Sequence, residues 1–569
     1  MRVAIAFCVA VLPLVIGITW NPPDNIVDFS LYQIYPRSYK DSDGNGIGDL
    51  RGIIERLDHF TESNVEAVWL SPIYRSPMVD FGYDISNYKE IDPIFGTMED
   101  FEELLKAAHD RNLSVLMDFV PNHTSDQHEW FQKSLQGIPP YDSYYVWHAG
   151  RMENGVRVPP NNWVSQMRGS AWQWKDERQA YYLHQFSIQQ PDLNYYSPDV
   201  RREMKDVLKF WLDKGVDGFR VDAMIFLYED KRFLNEPLSG LTDDPNDYDY
   251  TVKIYTTNQQ PTYDIIPTWR QVLDKYEQPK YLMLEVYSNV SDTMKYYHYG
   301  ADFPFNFYTI TNLTRNSNAA DIQYVVESWY DNMPEGCTPN WVTGNHDQHR
   351  LISRLGEPRA RAITTTVLLL PGVIVTYYGE EIGMIDEYIS WEDTVDPEGC
   401  RAGKEHYLTS SRDPERTPFQ WDDSVSAGFS SNPHTWLPVN EDYKTLNLAH
   451  EKKEKNSYYA LYEKLSALKR SQYLKEAMLV TKVLDDYVFA VARETEDHGS
   501  VYAISNFGDT DSIVDLSVFD NIPSKLNVYY ASAISDILPW ESVIQIRRVT
   551  IPAGSVVILT TPNADFVTD

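Results

Sequence analysis

At 569 residues the chain exceeds what one hydrophobic core organises, so two or three domains are expected. Its 83 acidic residues outnumber the 50 Lys plus Arg, and the formal charge of −33 argues against nucleic acid or an anionic lipid surface as a partner. Hydrophobic residues make up 43% and charged ones 23%, the balance of a soluble globular protein.

Met1-Arg2 and the apolar run over 3–18 read as a secretory signal, with Val15 and Gly17 as small residues near a cleavage point. Residues 1–17 are therefore expected to be removed and the protein released outside the cell. A membrane anchor is the alternative, but the run falls just short of a comfortable span. The polar tail over 560–569 lacks the hydrophobic segment of a glycolipid-anchor signal.

Strand-like and helix-like runs then alternate. Strands are expected over 29–35, 65–70 and 113–120, with helices over 53–62 and 98–110 between them. Later strands are expected over 216–221, 281–285, about 299–303, 341–345 and 373–378. Alternation of this kind argues for a parallel sheet with crossover helices, and eight strands make a closed (β/α)₈ TIM barrel the natural α/β reading. Two stretches break the rhythm. Residues 119–200 form an expected inserted loop domain after the third strand, rich in Trp, Tyr, Pro and Asn, and a long polar and aromatic segment follows the eighth strand over about 382–447. Trp163, Trp172, Trp174, Trp391, Trp421 and Trp436 lie in them; each suits either a sugar ring face or core packing. The barrel is expected over 18–118 and 201–478. From 479 to 569 short alternating stretches between Asn, Gly, Asp and Pro turns read as a C-terminal antiparallel β domain.

Side chains two apart on a strand point the same way, so Arg220 and Asp222 share one space at the end of the fourth strand. The arginine favours an ionised carboxylate, as an attacking acid requires. Glu285 ends a second apolar run and His346-Asp347 end a third, which gathers three acids at three strand ends. Near the N-terminus, Asp41-Ser42-Asp43-Gly44-Asn45-Gly46-Ile47-Gly48-Asp49 sets oxygen side chains at alternate positions with glycines that permit a tight wrap, as a hard cation requires. A metal-free glycine turn is the other reading. Cys8 lies in the signal. Cys337 precedes one expected strand and Cys400 lies far along the loop after the next, places at opposite ends of a barrel, so no bridge between them is expected. Sequons stand at Asn112, Asn122, Asn289 and Asn312, and Asn122, beside candidate site residues, is the least suited to carry a glycan.

The motifs Asp118-Phe119-Val120-Pro121-Asn122-His123-Thr124, Gln190-Pro191-Asp192-Leu193-Asn194, Gly218-Phe219-Arg220-Val221-Asp222-Ala223, Glu285, Gly344-Asn345-His346-Asp347 and Tyr377-Tyr378-Gly379-Glu380-Glu381 occur in this order. As an ordered set they resemble the α-amylase-type glycoside hydrolases, and among these the secreted insect maltases, the α-glucosidases of bee and mosquito type. The resemblance implies a TIM barrel with Asp222 as nucleophile, Glu285 as general acid/base and Asp347 as a third acid gripping sugar hydroxyls. It further implies His123, Arg220 and His346 in the first glucose subsite, Tyr83 as an aromatic platform, and an Asp84–Arg416 pair that closes the pocket for attack from chain ends. Structural Ca²⁺ is implied on Asp41, Asp43, Asn45, Asp49 and the Ile47 carbonyl. Ala223 resembles the small residue of relatives that prefer α-1,4 links or sucrose. The expected activity is release of α-glucose from maltose, short malto-oligosaccharides and sucrose. The rivals are an oligo-1,6-glucosidase, a sucrose isomerase or transglucosylase on the same scaffold, and a non-catalytic receptor or binding relative.

Overall fold

The computed structural model describes residues 17–23, 26–532, 543–562 and 564, so nearly all of the expected signal segment, Cys8 included, lies outside the described residues. Eight parallel strands form the central sheet: β1 (Ser30–Ile34), β2 (Ala67–Leu70), β3 (Ser114–Phe119), β4 (Gly218–Val221), β5 (Tyr281–Leu284), β6 (Phe303–Pro304), β7 (Asn340–Val342) and β8 (Val373–Tyr377). They pair in the order β6-β5-β4-β3-β2-β1-β8-β7. One side chain closes the seam between β6 and β7: Asn340 Nδ2 donates to the Pro304 carbonyl at 2.7 Å and its Oδ1 accepts the Asn306 N–H at 2.8 Å. All eight strands lie where the hydrophobic pattern places them, though β6 keeps only two residues because Tyr299 and Gly300 end the preceding helix, Val290–His298. The helix expected over 53–62 is two, Leu50–Glu55 and Leu57–Glu62, divided at Arg56. The first begins early because the Asp49 side chain caps it by accepting the Gly52 N–H.

Two-residue periodicity decides what each barrel face carries. Tyr32, Val68, Met117, Phe119, Phe219, Val221, Leu282 and Leu284 belong to the large core under the helices, whereas Leu31, Ala67, Trp69, Leu116, Met283, Val342 and Val375 form a separate cluster. Two residues on from members of this second set, the same parity delivers Gln33, Asp118 and Glu285. On β4, Gly218 leads by the same steps to Arg220 and Asp222. A Cβ at Gly218 would lie 2.4 Å from the Tyr281 carbonyl oxygen, so β4 and β5 approach where only glycine fits.

Between β3 and β4, an antiparallel sheet pairs Trp172–Lys175 with Ala180–Leu183 and the latter with Trp147–His148. Trp163 and Trp172 are buried there with Val146, Ala171 and Leu183 as a small core of their own. After the barrel, the strands Met478–Asp485, Val488–Glu494, Val501–Asn506, Lys525–Ala531, Val543–Gln545 and Ser555–Thr560 build an antiparallel sheet. Thr19–Trp20, from the stretch expected to open the barrel, pairs with Met478–Asp485 at its edge. Val491, Ala503 and Ile558 of this sheet share one core with Val367 and Leu368 of the barrel helix Glu357–Leu369.

Candidate active site

One guanidinium organises the strand ends. Arg220 Nη1 donates to Asp222 Oδ1 at 2.6 Å and to Asp118 Oδ1 and Oδ2 at 2.9 and 3.1 Å, and Nη2 lies 2.7 Å from Glu285 Oε1. The group lies 4.9 Å from the centre of the Trp69 ring and is buried. Among the described residues Asp222 Oδ2 has no hydrogen-bond partner, so one oxygen is held and the other is free. Glu285 Oε2 accepts the Ala223 N–H at 2.8 Å, because Ala223 turns into the left-handed region (φ 49°) directly after Asp222.

Three carboxylates around one cation are not neutralised. Burial raises Asp222 to about 7, against the pull of Arg220 and with Asp118 and Asp347 adding to the rise. Glu285 is raised further, to about 8, by burial first; Arg220 opposes this, and Asp222 and Asp347 reinforce it. Asp347 goes the other way. Burial works against its charge, but the guanidiniums of Arg412, Arg416 and Arg220 outweigh burial and hold its carboxyl below the usual range. Its Oδ1 accepts from Arg412 Nη1 at 3.1 Å and Arg416 Nη2 at 3.0 Å, and its Oδ2 lies 3.4 Å from His346 Nε2. Burial lowers His123 to about 3 and His346 well below its ordinary value, so both imidazoles are neutral.

These acids open into a cavity of about 650 Å³, which Asp222, Glu285, Asp347, Tyr83, His123 and His346 all line. Tyr83 stacks on His346, with centroids 5.0 Å apart and planes 7° apart, and its hydroxyl donates to Asp118 Oδ2 at 3.0 Å. Arg220 is not among the residues that line the cavity; it stands behind the acids and holds their carboxylates.

The expected Asp84–Arg416 pair is also corrected. Asp84 is fully buried and accepts from Ser76 Oγ at 3.0 Å and from the Val79 and Asp80 N–H groups at 3.0 and 2.9 Å, so it folds its own loop. Arg416 donates to the His346 carbonyl at 2.6 Å and supports Asp347 from behind. The pair that meets is Asp80 with Arg412, at 2.7 Å, and both line the cavity. Arg412 is fixed in turn by Asp396 at 2.6 Å, and Asp80 Oδ2 accepts from Gln190 Nε2 at 2.9 Å. Both true partners stand four residues before the expected ones. Phe81 (φ 46°) and Gly82 (φ 112°) reverse the chain between Asp80 and Asp84, and strand parity cannot resolve such a turn.

Sequence reasoning also missed the segment after β4. Tyr248, Lys253, Thr257 and Asn258 bring it to the cavity, yet it is polar and lacks a motif. None of the six tryptophans noted above lines the cavity; Trp421 stacks under Arg56 and Trp436 under Arg37.

At the N-terminal loop, carboxylate oxygens of Asp41, Asp43 and Asp49 lie within 4.8 Å of one another. Asp41 accepts N–H bonds from Asp43, Gly44 and Gly46, and Gly44 (φ 80°) and Gly46 (φ 92°) permit the wrap. Three converging carboxylates fit a hard cation. Cys337 and Cys400 are both free thiols. Asn112, Asn289 and Asn312 are exposed, and Asn122 is buried.

The alpha amylase catalytic-domain profile matches residues 33–477. An alpha-glucosidase of Apis mellifera is 58% identical over the full length of both chains. A salivary alpha-glucosidase of Anopheles gambiae is 47% identical, covering 84% of this chain and 83% of its own. Among solved structures, the alpha-glucosyl transfer enzyme XgtA superposes with a TM-score of 0.80 at 32% identity, over 94% of this chain and 98% of its own. The profile begins within β1 and stops one residue before the C-terminal sheet; it therefore spans the whole barrel, and the chain belongs to the alpha-amylase family.

Proposed function

We propose that the protein is a secreted, retaining, exo-acting α-glucosidase that releases α-glucose from the non-reducing ends of maltose, short malto-oligosaccharides and sucrose. The observation that carries this reading is the pair Asp222 and Glu285, held from behind by Arg220, at the wall of a cavity that the Asp80–Arg412–Asp347 contacts close. In the first step Asp222 Oδ2 attacks the anomeric carbon while Glu285 gives its proton to the leaving oxygen, forming a glucosyl ester. Glu285, now ionised, takes a proton from water, which displaces Asp222 from the same face that the leaving group vacated. Two inversions restore the α configuration. A second sugar in place of water gives transfer, a secondary activity that the likeness to a glucosyl transfer enzyme supports. Export is supported by the salivary relative and by the exposed sequons Asn112, Asn289 and Asn312.

The closed end is tested with a maltoheptaoside blocked at its non-reducing glucose. An exo-acting enzyme leaves it intact while hydrolysing the unblocked form; cleavage of both at similar rates would refute exo-action.

Ca²⁺ on Asp41, Asp43, Asn45, Asp49 and the Ile47 carbonyl would tie down the loop before the first barrel helix and take no part in the chemistry. Chelation is then expected to lower the melting temperature, with recovery on adding Ca²⁺. An unchanged melting curve would remove the ion from the account.

Ala223 lines the cavity with φ 49°, a conformation that a β-branched residue resists. Ala223→Val is expected to lower the maltose-to-isomaltose ratio of kcat/KM by roughly 10- to 200-fold, the range set by a methyl group or two in a pocket. A ratio unchanged within experimental error would mean that Ala223 does not govern linkage preference.

A further inference from the structure

His349, Asp386 and Glu415 bring one imidazole and two carboxylates together, and none of them serves the proposed hydrolysis. His349 follows β7, Asp386 lies early in the long segment after β8, and Glu415 lies midway along it. His349 Nδ1 lies 2.8 Å from Asp386 Oδ2 and 3.5 Å from Glu415 Oε2. A single ring nitrogen carries one hydrogen at most, so it cannot satisfy both acids. Neither approach has hydrogen-bond geometry: His349 Nδ1 and Glu415 Oε2 are both buried atoms with no hydrogen-bond partner. The Glu415 side chain is 2% exposed.

From this arrangement we infer that His349 Nδ1, Asp386 and Glu415 form a binding site for a divalent transition cation, with Zn²⁺ as the best-matched ion. Metal bonds of about 2.0–2.2 Å in a tetrahedral site place neighbouring ligand atoms roughly 3.3–3.5 Å apart. The observed 2.8 and 3.5 Å bracket that spacing, and all three ligand atoms fall within 4.8 Å of one another. The donor set separates this site from the all-oxygen N-terminal loop, because an imidazole favours zinc-like ions over Ca²⁺. The ligands are already held. Asp386 Oδ1 accepts the Arg350 N–H at 2.8 Å, the Asp386 N–H donates to Ser353 Oγ at 2.8 Å, and the His349 carbonyl accepts from Arg354 Nε at 2.8 Å. His349 and Glu415 line the active-site cavity, and the His349 side chain is 43% exposed, so an ion can enter from the cavity and keep a position open toward it.

The test is calorimetric titration of ZnCl₂ into the chelator-treated enzyme with Ca²⁺ in excess, alongside His349→Ala and Asp386→Asn. One Zn²⁺ site is expected in the wild type. Each variant should weaken it by about 10- to 100-fold or more, and affinity should fall as pH drops because protons compete for the same ligand atoms. No Zn²⁺ uptake by the wild type, displacement of the zinc by Ca²⁺, or equal affinity in the variants would overturn the assignment. Should a variant fail to fold, the visible spectrum of Co²⁺ added to the wild type decides. Intense bands of a low-coordinate site with a nitrogen ligand support it, and the weak spectrum of the hydrated ion overturns it.

Discussion

Asp222→Asn is expected to lower kcat for maltose by at least about 10⁴-fold, the scale of loss when an activated nucleophile is removed, while the protein melts as a folded enzyme. The side chain is nearly isosteric, so Oδ1 still accepts from Arg220, and the guanidinium keeps Asp118 and Glu285 as counter-charges. What disappears is the negative charge on Oδ2, the oxygen that has no hydrogen-bond partner among the described residues. The measurement is initial-rate glucose release, with a circular dichroism melt on the same samples. A loss of less than about tenfold, roughly one kcal/mol, would show that Asp222 does not attack the sugar.

Arg412→Ala carries the second large effect. This residue touches Asp80, Asp347 and Asp396 within 3.1 Å, and its side chain is 13% exposed. Removing the cation leaves three acids facing one void, and breaking such a buried pair costs about 3–5 kcal/mol. If about 3–4 kcal/mol of this falls on the transition state, kcat/KM for maltose drops by roughly 10²- to 10³-fold. The blocked maltoheptaoside, which the wild type leaves intact, should become cleavable by the variant, because the wall that excludes it has opened. A variant that still leaves it intact would mean that Arg412 supports the acids without closing the pocket.

How far the sequence reveals this site depends on what positions each residue. Arg220 and Asp222 follow the inward parity of their strand, a two-residue rule that needs no knowledge of tertiary structure, and Glu285 ends another apolar run. They were legible for that reason, and the eight strands with them. Asp80 and Arg412 sit in loops, where one tight turn decides which of two like residues faces the cavity. Asp80-Phe81-Gly82-Tyr83-Asp84 and Arg412-Asp413-Pro414-Glu415-Arg416 each offer two candidates, and periodicity has no purchase on either. The segment bearing Tyr248, Lys253 and Asn258 is harder still, since nothing in its composition separates a cavity wall from an ordinary surface loop. Trp163 and Trp172 show a different ambiguity: their ring faces suit a sugar or a core, and the fold puts them in a small core. The cluster of His349, Asp386 and Glu415 comes from the loop after β7 and from two distant points of the long segment after β8, and only folding brings it together.

The most direct test of the account is proton NMR of the purified enzyme acting on maltose, read within the first turnovers before mutarotation, with Asp222→Asn beside it. Early α-glucose that disappears in the variant is the predicted result. Early β-glucose would contradict retention and, with it, the assignment of Asp222 as nucleophile and Glu285 as acid/base.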